Sequence, residues 1–263
     1  MGDKKLGLLM SGGLDSYIMW HYAQIEEGWK KEDILPVYID LNSPYAEKEK
    51  KALDRYRKEG IDTKIIDCKI LQEQFGNVPD NEDIWIPGRN LLLASIMASL
   101  NCDEIWLGAL KGEMHKYATD KNKKFFDKAT DTISYVMSKF KDEVVVKTPF
   151  EDMNKLDIVI WALKNYIDPY CIAKTSSCLS GEGQNCGNCM VCVRRYGIFE
   201  QTGLSEEYDE YPVFSEVGEE YITELFRQIN GGEHYNADRI VEVLPALTTE
   251  EFYYFLRKVE EEE

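Results

Sequence analysis

Two groups of residues in this sequence have the types and spacing to do chemistry. The first is Met10-Ser11-Gly12-Gly13-Leu14-Asp15-Ser16. The apolar run Lys5-Leu6-Gly7-Leu8-Leu9-Met10 precedes it with the length of a strand, and Tyr17-Ile18-Met19-Trp20-His21-Tyr22-Ala23 follows with helical character. A strand that turns through two glycines into a helix is built to hold an anion. Glycine lets the backbone turn tightly and approach the ligand with no side chain between them. The unpaired N–H groups and partial positive charge of the first helical turn then face that anion. Ser11 and Ser16 add hydroxyl donors. Asp15 beside a phosphate calls for a cation between the two, which makes it a Mg²⁺ contact.

The second group is Cys178, Cys186, Cys189 and Cys192, four of the seven cysteines, spaced Cys-x7-Cys-x2-Cys-x2-Cys. In a reducing compartment such a cluster reads as a metal site before it reads as disulfides. Gly187 and Asn188 suit a tight knuckle. Four thiolates leave no open position for a substrate, so the site is structural, and zinc is its simplest occupant. An iron–sulfur cluster uses the same ligands, and the spacing does not distinguish the two. Cys68, Cys102 and Cys171 read as ordinary thiols.

Other candidates are less specific. Arg89 and Asn90 stand at the mouth of the apolar helix Leu91–Leu100, where they could read a phosphate or carboxylate, or serve as a surface arginine and a helix cap. The loop Lys111–Lys124 holds Glu113, His115, Tyr117 and Asp120, which either line a site or form a polar loop. Arg194 and Arg195 follow the last cysteine, placed to be held toward the main domain. His234 reads as a loop residue.

The elements that must position these groups alternate along the chain. Strands are expected at Ile34–Asp40, Thr63–Cys68, Asp103–Leu110 and Glu143–Phe150. Helices are expected from Ser43-Pro44 to Gly60, at Leu91–Leu100, at Phe125–Phe140 and at Lys155–Tyr166 with Asn154 as its cap. The charges of the helix before Gly60 read as a solvated face, and Leu91–Leu100, apolar nearly all round, as a helix inside the domain. Leu71–Ile86 reads as loop. Strands alternating with helices predict an α/β fold, a parallel sheet with helices on both faces, and ligands there bind at the carboxyl ends of strands. After Ser205 the chain turns acidic, with helical patterns at Tyr221–Ile229 and Thr249–Val259.

At 263 residues, 44% hydrophobic and 12% aromatic, the chain has ample material for a packed core. A net charge of −17 argues against a general nucleic-acid surface. No apolar run approaches the ~20 residues that span a bilayer, and no signal-peptide flanks are present. A cytoplasmic protein is expected.

The stretch Ser11–Ser16 resembles the PP-loop, Ser-Gly-Gly-x-Asp-Ser, of the ATP pyrophosphatase superfamily. It is not a Walker loop, since no Gly-Lys-Ser/Thr follows the glycines. Joined to the four-cysteine knuckle about 160 residues later, it resembles the 7-cyano-7-deazaguanine synthase family of the queuosine pathway. The likeness runs from about Lys5 to Phe199. Pro87-Gly88-Arg89-Asn90 looks like that family's proline-x-arginine-asparagine, and Arg195 and Phe199 sit where it has an arginine and a phenylalanine.

The resemblance implies a Rossmann-like fold of the adenine nucleotide α-hydrolase type over 1–200, including the knuckle 178–192, with an acidic helical extension over 201–263. It implies an ATP-dependent carbon–nitrogen ligase that turns 7-carboxy-7-deazaguanine and ammonia into the nitrile 7-cyano-7-deazaguanine, with Mg²⁺ and structural Zn²⁺. ATP would lie on Leu8, Leu9, Met10, Ser11, Gly12, Gly13, Leu14, Asp15 and Ser16, with Ser11, Asp15 and Ser16 taking part in catalysis. Substrate would meet Arg89, Asn90, Lys111, Glu113 and Asp120. A homo-oligomer acting on small molecules is expected.

The departures lie in the substrate region. Leu41-Asn42-Ser43-Pro44-Tyr45 replaces the family's Tyr-Gly-Gln-Arg-like stretch, and the family's Tyr-Pro-Asp-Cys after Gly108 has only Asp120 to stand for it. They point to a divergent member, of a phage or defence-system kind. Two other classes stay open: a PP-loop tRNA-modifying thiolase or lysidine-type ligase, and a relative that acts on a partner protein.

Overall fold

The structure is a computed structural model that describes residues 4–43, 46–68, 88–113, 119–180, 185–231 and 237–262. Two compact units result, Met1–Asp152 and Met153–Glu263.

The first unit is built on five parallel strands: β1 Leu6–Leu9, β2 Ile34–Asp40, β3 Lys64–Asp67, β4 Glu104–Trp106 and β5 Val145–Lys147, in the order β3-β2-β1-β4-β5. Leu6 of β1 lies between Ile34 of β2 and Glu104 of β4. Among the described residues, four α-helices connect the strands: α1 Leu14–Ile25, α2 Ala46–Lys58, α3 Arg89–Ser99 and α4 Lys123–Met137. Val37, Ile39, Ile105, Val144 and Val146 pack with Ala94, Met97 and Ala98 of α3 and with Phe126, Ala129 and Ile133 of α4. Period-two alternation sends Tyr38 to the opposite face, where its phenol donates to Glu49 of α2 at 2.7 Å. On α1, Tyr17 packs its ring against Tyr56 of α2 at 4.8 Å. Helices thus cover both faces, as the alternating pattern predicts.

Two helix expectations change in detail. Of α3, Ala94, Met97 and Ala98 are buried, while Leu91, Ser95 and Ser99 are exposed. It lies on the sheet rather than within the domain, because only one face of a helix meets a flat sheet. The charged face of α2 is also not wholly solvated, since Glu49 lies against Tyr38. Pro44, the Leu71–Ile86 segment, Pro87, His115, Tyr117 and His234 lie outside the described residues.

The edge strand β5 is covered from α4. The Thr130 hydroxyl accepts from the Val146 N–H at 2.9 Å, and the Ser134 hydroxyl accepts from the Val144 N–H at 3.0 Å. Spaced four apart on one helix face, the two hydroxyls occupy backbone groups that an edge strand leaves open to another chain.

The second unit contains α5 Lys155–Lys164, α6 Pro169–Ala173, α7 Met190–Thr202, α8 Glu216–Asn230, α9 Ala237–Val243 and α10 Thr249–Glu262. Asn154 and Asp157 form a capping box on α5, which satisfies two orphan N–H groups reciprocally. Val193 of α7 shares a core with Val213, with Ile222, Leu225 and Phe226 of α8, with Val243 of α9, and with Phe255 and Val259 of α10. The boundary expected near residue 200 falls inside α7, which joins the acidic extension to the knuckle.

Candidate functional site

In the strand order, connections run one way from β1 to β2 and β3 and the other way to β4 and β5. That reversal is a topological switch point, and the carboxyl ends of β1 and β4 flank the crevice it opens. The Ser11–Ser16 loop leaves β1 at this end. Met10 N donates to Val37 O at 2.8 Å, the last sheet bond before the chain turns. Gly12 then takes φ +73°, and a Cβ there would lie 2.7 Å from the Glu49 carbonyl oxygen. Glycine is needed at this position for both backbone angle and space.

Inside the loop, the Ser16 hydroxyl donates to Gly13 O at 2.9 Å and accepts from Ser11 N at 3.3 Å. Gly13 is the N-cap of α1 and supplies no side chain to its first turn, whose N–H groups are then left for other acceptors. Ser16 is buried and braces the turn, whereas Ser11 is exposed. Asp15 faces Gly108 at the exit of β4, where a Cβ would touch the Asp15 Cβ at 3.7 Å.

The remaining site candidates of this unit are partly linked. Gly88, not Asn90, is the N-cap of α3. Asn90 lies in the first turn and donates to Asp120 O at 2.9 Å, tying the helix start to the loop after β4. In that loop Glu113 pairs with Lys121 at 3.5 Å, and Thr148 donates to Ala109 O at 2.6 Å. Asp120 is buried and Lys111 is exposed.

Three residues beside the loop are not evident from motif reading. Tyr56 donates to Gly12 O at 2.7 Å. Asp40, at the end of β2, is 2% exposed and pairs with Lys50 at 2.7 Å. Burial, followed by the repulsion of Asp40, pushes the Glu49 carboxyl up to about 7, against the opposing effects of the Tyr38 hydrogen bond, Arg89 and Lys50. The signal for Glu49 is its register: it stands three, four and seven residues before Ala52, Leu53 and Tyr56, the buried stripe of α2.

In the second unit the sulfurs of Cys178, Cys186, Cys189 and Cys192 all lie within 4.8 Å of one another. Cys186 Sγ and Cys192 Sγ are 3.9 Å apart. Sulfurs held tetrahedrally at ~2.3 Å from one ion are ~3.8 Å apart, so the cluster has nearly the right size for a single ion. Backbone N–H groups already point at the sulfurs. Ser180 N and Cys186 N donate to Cys178 at 3.3 and 3.4 Å, and Cys192 N donates to Cys189 at 3.4 Å. Hydrogen bonds from Cys189 and Cys192 hold the Cys178 thiol below its usual value, while burial and the nearby Cys189 push Cys186 up to about 12. Thiols this close compete for ionisation, and a cation among them ends the competition. Gly187, at φ +75°, leaves no room for a Cβ, which would fall 1.8 Å from Glu210 O.

Arg194 and Arg195, expected to be held toward the main domain, are both taken up in buried pairs within the second unit. Arg194 meets Glu242 at 2.7 Å. Arg195, 2% exposed, holds Glu206 at 2.8 Å, Thr175 and Ser177 at 2.9 and 3.0 Å, and the Ala173 carbonyl at 3.0 Å, with its guanidinium 4.3 Å from the Phe199 ring centre. The guanidinium fork thereby staples the segment before the cysteines to the helix after them.

Comparison with known families matches residues 5–203 to the family described as queuosine biosynthesis protein QueC. A 7-cyano-7-deazaguanine synthase of Campylobacter jejuni subsp. doylei is 31% identical over 228 residues, which cover 78% of this chain and 97% of that protein. One from Picrophilus torridus is 30% identical over 229 residues, covering 78% and 92%. Among solved structures, the NH3-dependent NAD synthetase from Campylobacter jejuni in complex with the nitrate ion aligns over 99% of this chain and 86% of its own, with 12% identity and a TM-score of 0.39.

Proposed function

The chain belongs to the QueC family, and on that premise we propose that it joins ammonia to 7-carboxy-7-deazaguanine at the expense of ATP, forming 7-cyano-7-deazaguanine. The observation that carries this reading is the Ser11–Ser16 turn at the switch point, with its braced backbone and open helix N-terminus.

A carboxylate resists attack by ammonia because its leaving group would be oxide. In the proposed sequence a carboxylate oxygen attacks the α-phosphorus of ATP and pyrophosphate departs. Ammonia then adds to the acyl carbon, AMP leaves, and loss of a proton gives the amide. A second ATP activates the amide oxygen in the same way. Departure of AMP with two protons from nitrogen then leaves the nitrile.

Each step places negative charge on departing phosphate, which fixed N–H donors stabilise without reorganising. Gly12, Gly13 and the first turn of α1 would supply those donors, and Ser11 an exposed hydroxyl. Ser16 would hold the turn in shape. Leu8, Leu9, Met10 and Leu14 would form the apolar bed of the loop. Asp15, in the first turn of α1, would be the Mg²⁺ ligand, and such an ion would offset phosphate charge. Arg89, Asn90, Lys111, Glu113 and Asp120 belong to the α3 start and the loop after β4, and would contact the substrate base and its carboxylate. Holding both reactants at one sheet end supplies the proximity contribution.

The four cysteines suit Zn²⁺ in number, softness and spacing, and the ion would serve the fold rather than the reaction. We also propose a homo-oligomer working in the cytoplasm; no helix among the described residues is long and apolar enough to cross a membrane.

The test is a mass-resolved assay with ATP, Mg²⁺, ammonium and 7-carboxy-7-deazaguanine. Nitrile appearing together with AMP supports the proposal. ATP binding with an untouched base would overturn the substrate assignment and leave the loop assignment standing.

A further inference from the structure

At the end of the family match, the second unit carries a cavity of about 290 Å³ lined by Tyr196, Phe199, Glu200, Glu206, Tyr208 and Tyr211. Tyr196 meets Tyr208 and Tyr211 edge to face, at 6.1 and 5.4 Å between ring centres. The hydroxyls of Tyr196 and Tyr211 are 2.8 Å apart, and Tyr211 donates onward to Glu251 at 2.7 Å. Glu206 is taken up by Arg195 and Tyr208, so Glu200, which is exposed, is the carboxylate at the rim available to a newcomer. Acids outnumber bases around it, the neighbouring cations being Arg195 on Glu206 and Lys258 on Glu219. From Tyr196 to Phe226 the sequence holds nine Asp or Glu and neither Lys nor Arg.

Aromatic faces, phenol oxygens and the exposed Glu200 carboxylate in a stretch of net negative charge together suit a cation that is also flat and apolar on its faces. Guanidinium meets that description better than ammonium, which is more strongly hydrated. The chain provides its own precedent on the cavity wall, where the Arg195 guanidinium lies on Phe199 beside Glu206. The cavity has room for a side chain rather than a nucleotide. Beyond it the aromatic surface continues, since Tyr211 is 6.1 Å from Phe214, and Phe214 is 5.4 Å from Tyr254. Phe214 and Tyr254 are 46% and 38% exposed. A strip that outruns the cavity calls for a polypeptide, and its charge turns nucleic acid away.

We propose that this cavity and strip dock an arginine-bearing segment of a partner protein. The proposal is independent of the synthase reaction, because its residues lie outside the loop and substrate candidates described above.

The experiment titrates the full-length, isotope-labelled protein with the peptide acetyl-Gly-Ser-Arg-Ser-Gly-amide and with its citrulline counterpart, following amide NMR signals. Citrulline keeps the shape of arginine and removes its charge. The expected result is shifts confined to residues 196–214 and 250–255, with the citrulline peptide at least tenfold weaker. Tyr211→Ala should weaken arginine-peptide binding by roughly 3- to 30-fold, the span of a cation–π contact. Glu200→Gln, an exposed and nearly isosteric change, should weaken it about threefold by removal of a rim charge. Equal shifts with citrulline, shifts scattered over other acidic helices, or no change in either variant would overturn the proposal. So would free arginine binding as well as the peptide, or single-stranded DNA shifting the same signals.

Discussion

The phenol of Tyr56 donates a 2.7 Å hydrogen bond to the carbonyl of Gly12, joining the last turn of α2 to the Ser11–Ser16 turn across 44 residues of sequence. Tyr56 is almost wholly buried, and hydrogen bonds within the turn link Ser11, Gly13 and Ser16. The hydroxyl is thus a contact by which α2 holds the turn from outside. Removing it in Tyr56→Phe leaves a buried carbonyl without its donor, at a cost of about 1–3 kcal/mol. A turn no longer held in position binds pyrophosphate less well. We expect Tyr56→Phe to lower the melting temperature by several degrees and to raise KM for ATP more than it lowers kcat. An unchanged KM would mean that α2 does not set the shape of the turn.

Glu49 links the same helix to pH. Its carboxyl is raised from the ordinary 4.5 to about 7, with burial the largest cause, followed in the same direction by Asp40; Tyr38, Arg89 and Lys50 oppose the shift. An acid whose folded value lies above its unfolded one favours the folded protein most when protonated in both states, below about pH 4.5. That contribution is lost as pH rises through the window from about 4.5 to 7, and stays lost above it. A shift of this size corresponds to at most roughly 3 kcal/mol. Denaturant titrations at pH 5 and pH 8 should show wild type losing part of its stability across the window. Glu49→Gln, which is neutral throughout, should not lose that part. Parallel behaviour of the two proteins would remove the assignment.

Much of the site was legible because its signals are local. Two glycines after a strand dictate a turn whatever the rest of the chain does, and cysteine spacing reports which thiols can meet. Asn154 is legible as the cap of α5, and the structure adds Asp157 as its capping-box partner. What escaped is set by tertiary contact. Glu49 looks like one charge among many on α2 until Tyr38 is placed beneath it. Asn90 looks like a cap, yet Gly88 fills that role and Asn90 reaches Asp120. Arg195 reads only as a residue held toward the main domain, but its five donors are used inside the second unit. The short helix α9 was not foreseen, since its packing depends on Gly197 of α7, where a Cβ would lie 2.5 Å from Glu242 O.

In the second unit Cys189 is both a member of the sulfur cluster and the N-cap of α7, so a metal held there would be coupled to the fold. Cys189→Ser retains a capping oxygen, so the helix start is preserved while the soft ligand is lost. We expect reduced metal content by elemental analysis and a clear fall in melting temperature. Gly187→Ala is expected to be more severe, since the added carbon collides with the Glu210 backbone. Metal content and stability both equal to wild type in Cys189→Ser would eliminate the structural-metal reading.

The cover over β5 makes a prediction about association rather than activity. Thr130 and Ser134 occupy the N–H groups of Val146 and Val144, which a neighbouring strand would otherwise use. Val145 bonds the other way, its N–H to Asp103 O, so β5 is held to β4 on one side and to helix hydroxyls on the other. Replacing both hydroxyls, in Thr130→Val with Ser134→Ala, exposes two edge donors to any strand that can reach them. Each lost bond costs about 1 kcal/mol, so the double variant should unfold at lower denaturant by an amount near 2 kcal/mol. It should also aggregate faster on mild heating, read by light scattering against the wild type at equal concentration. Loss of stability with no rise in scattering would show that the hydroxyls anchor α4 without guarding the edge.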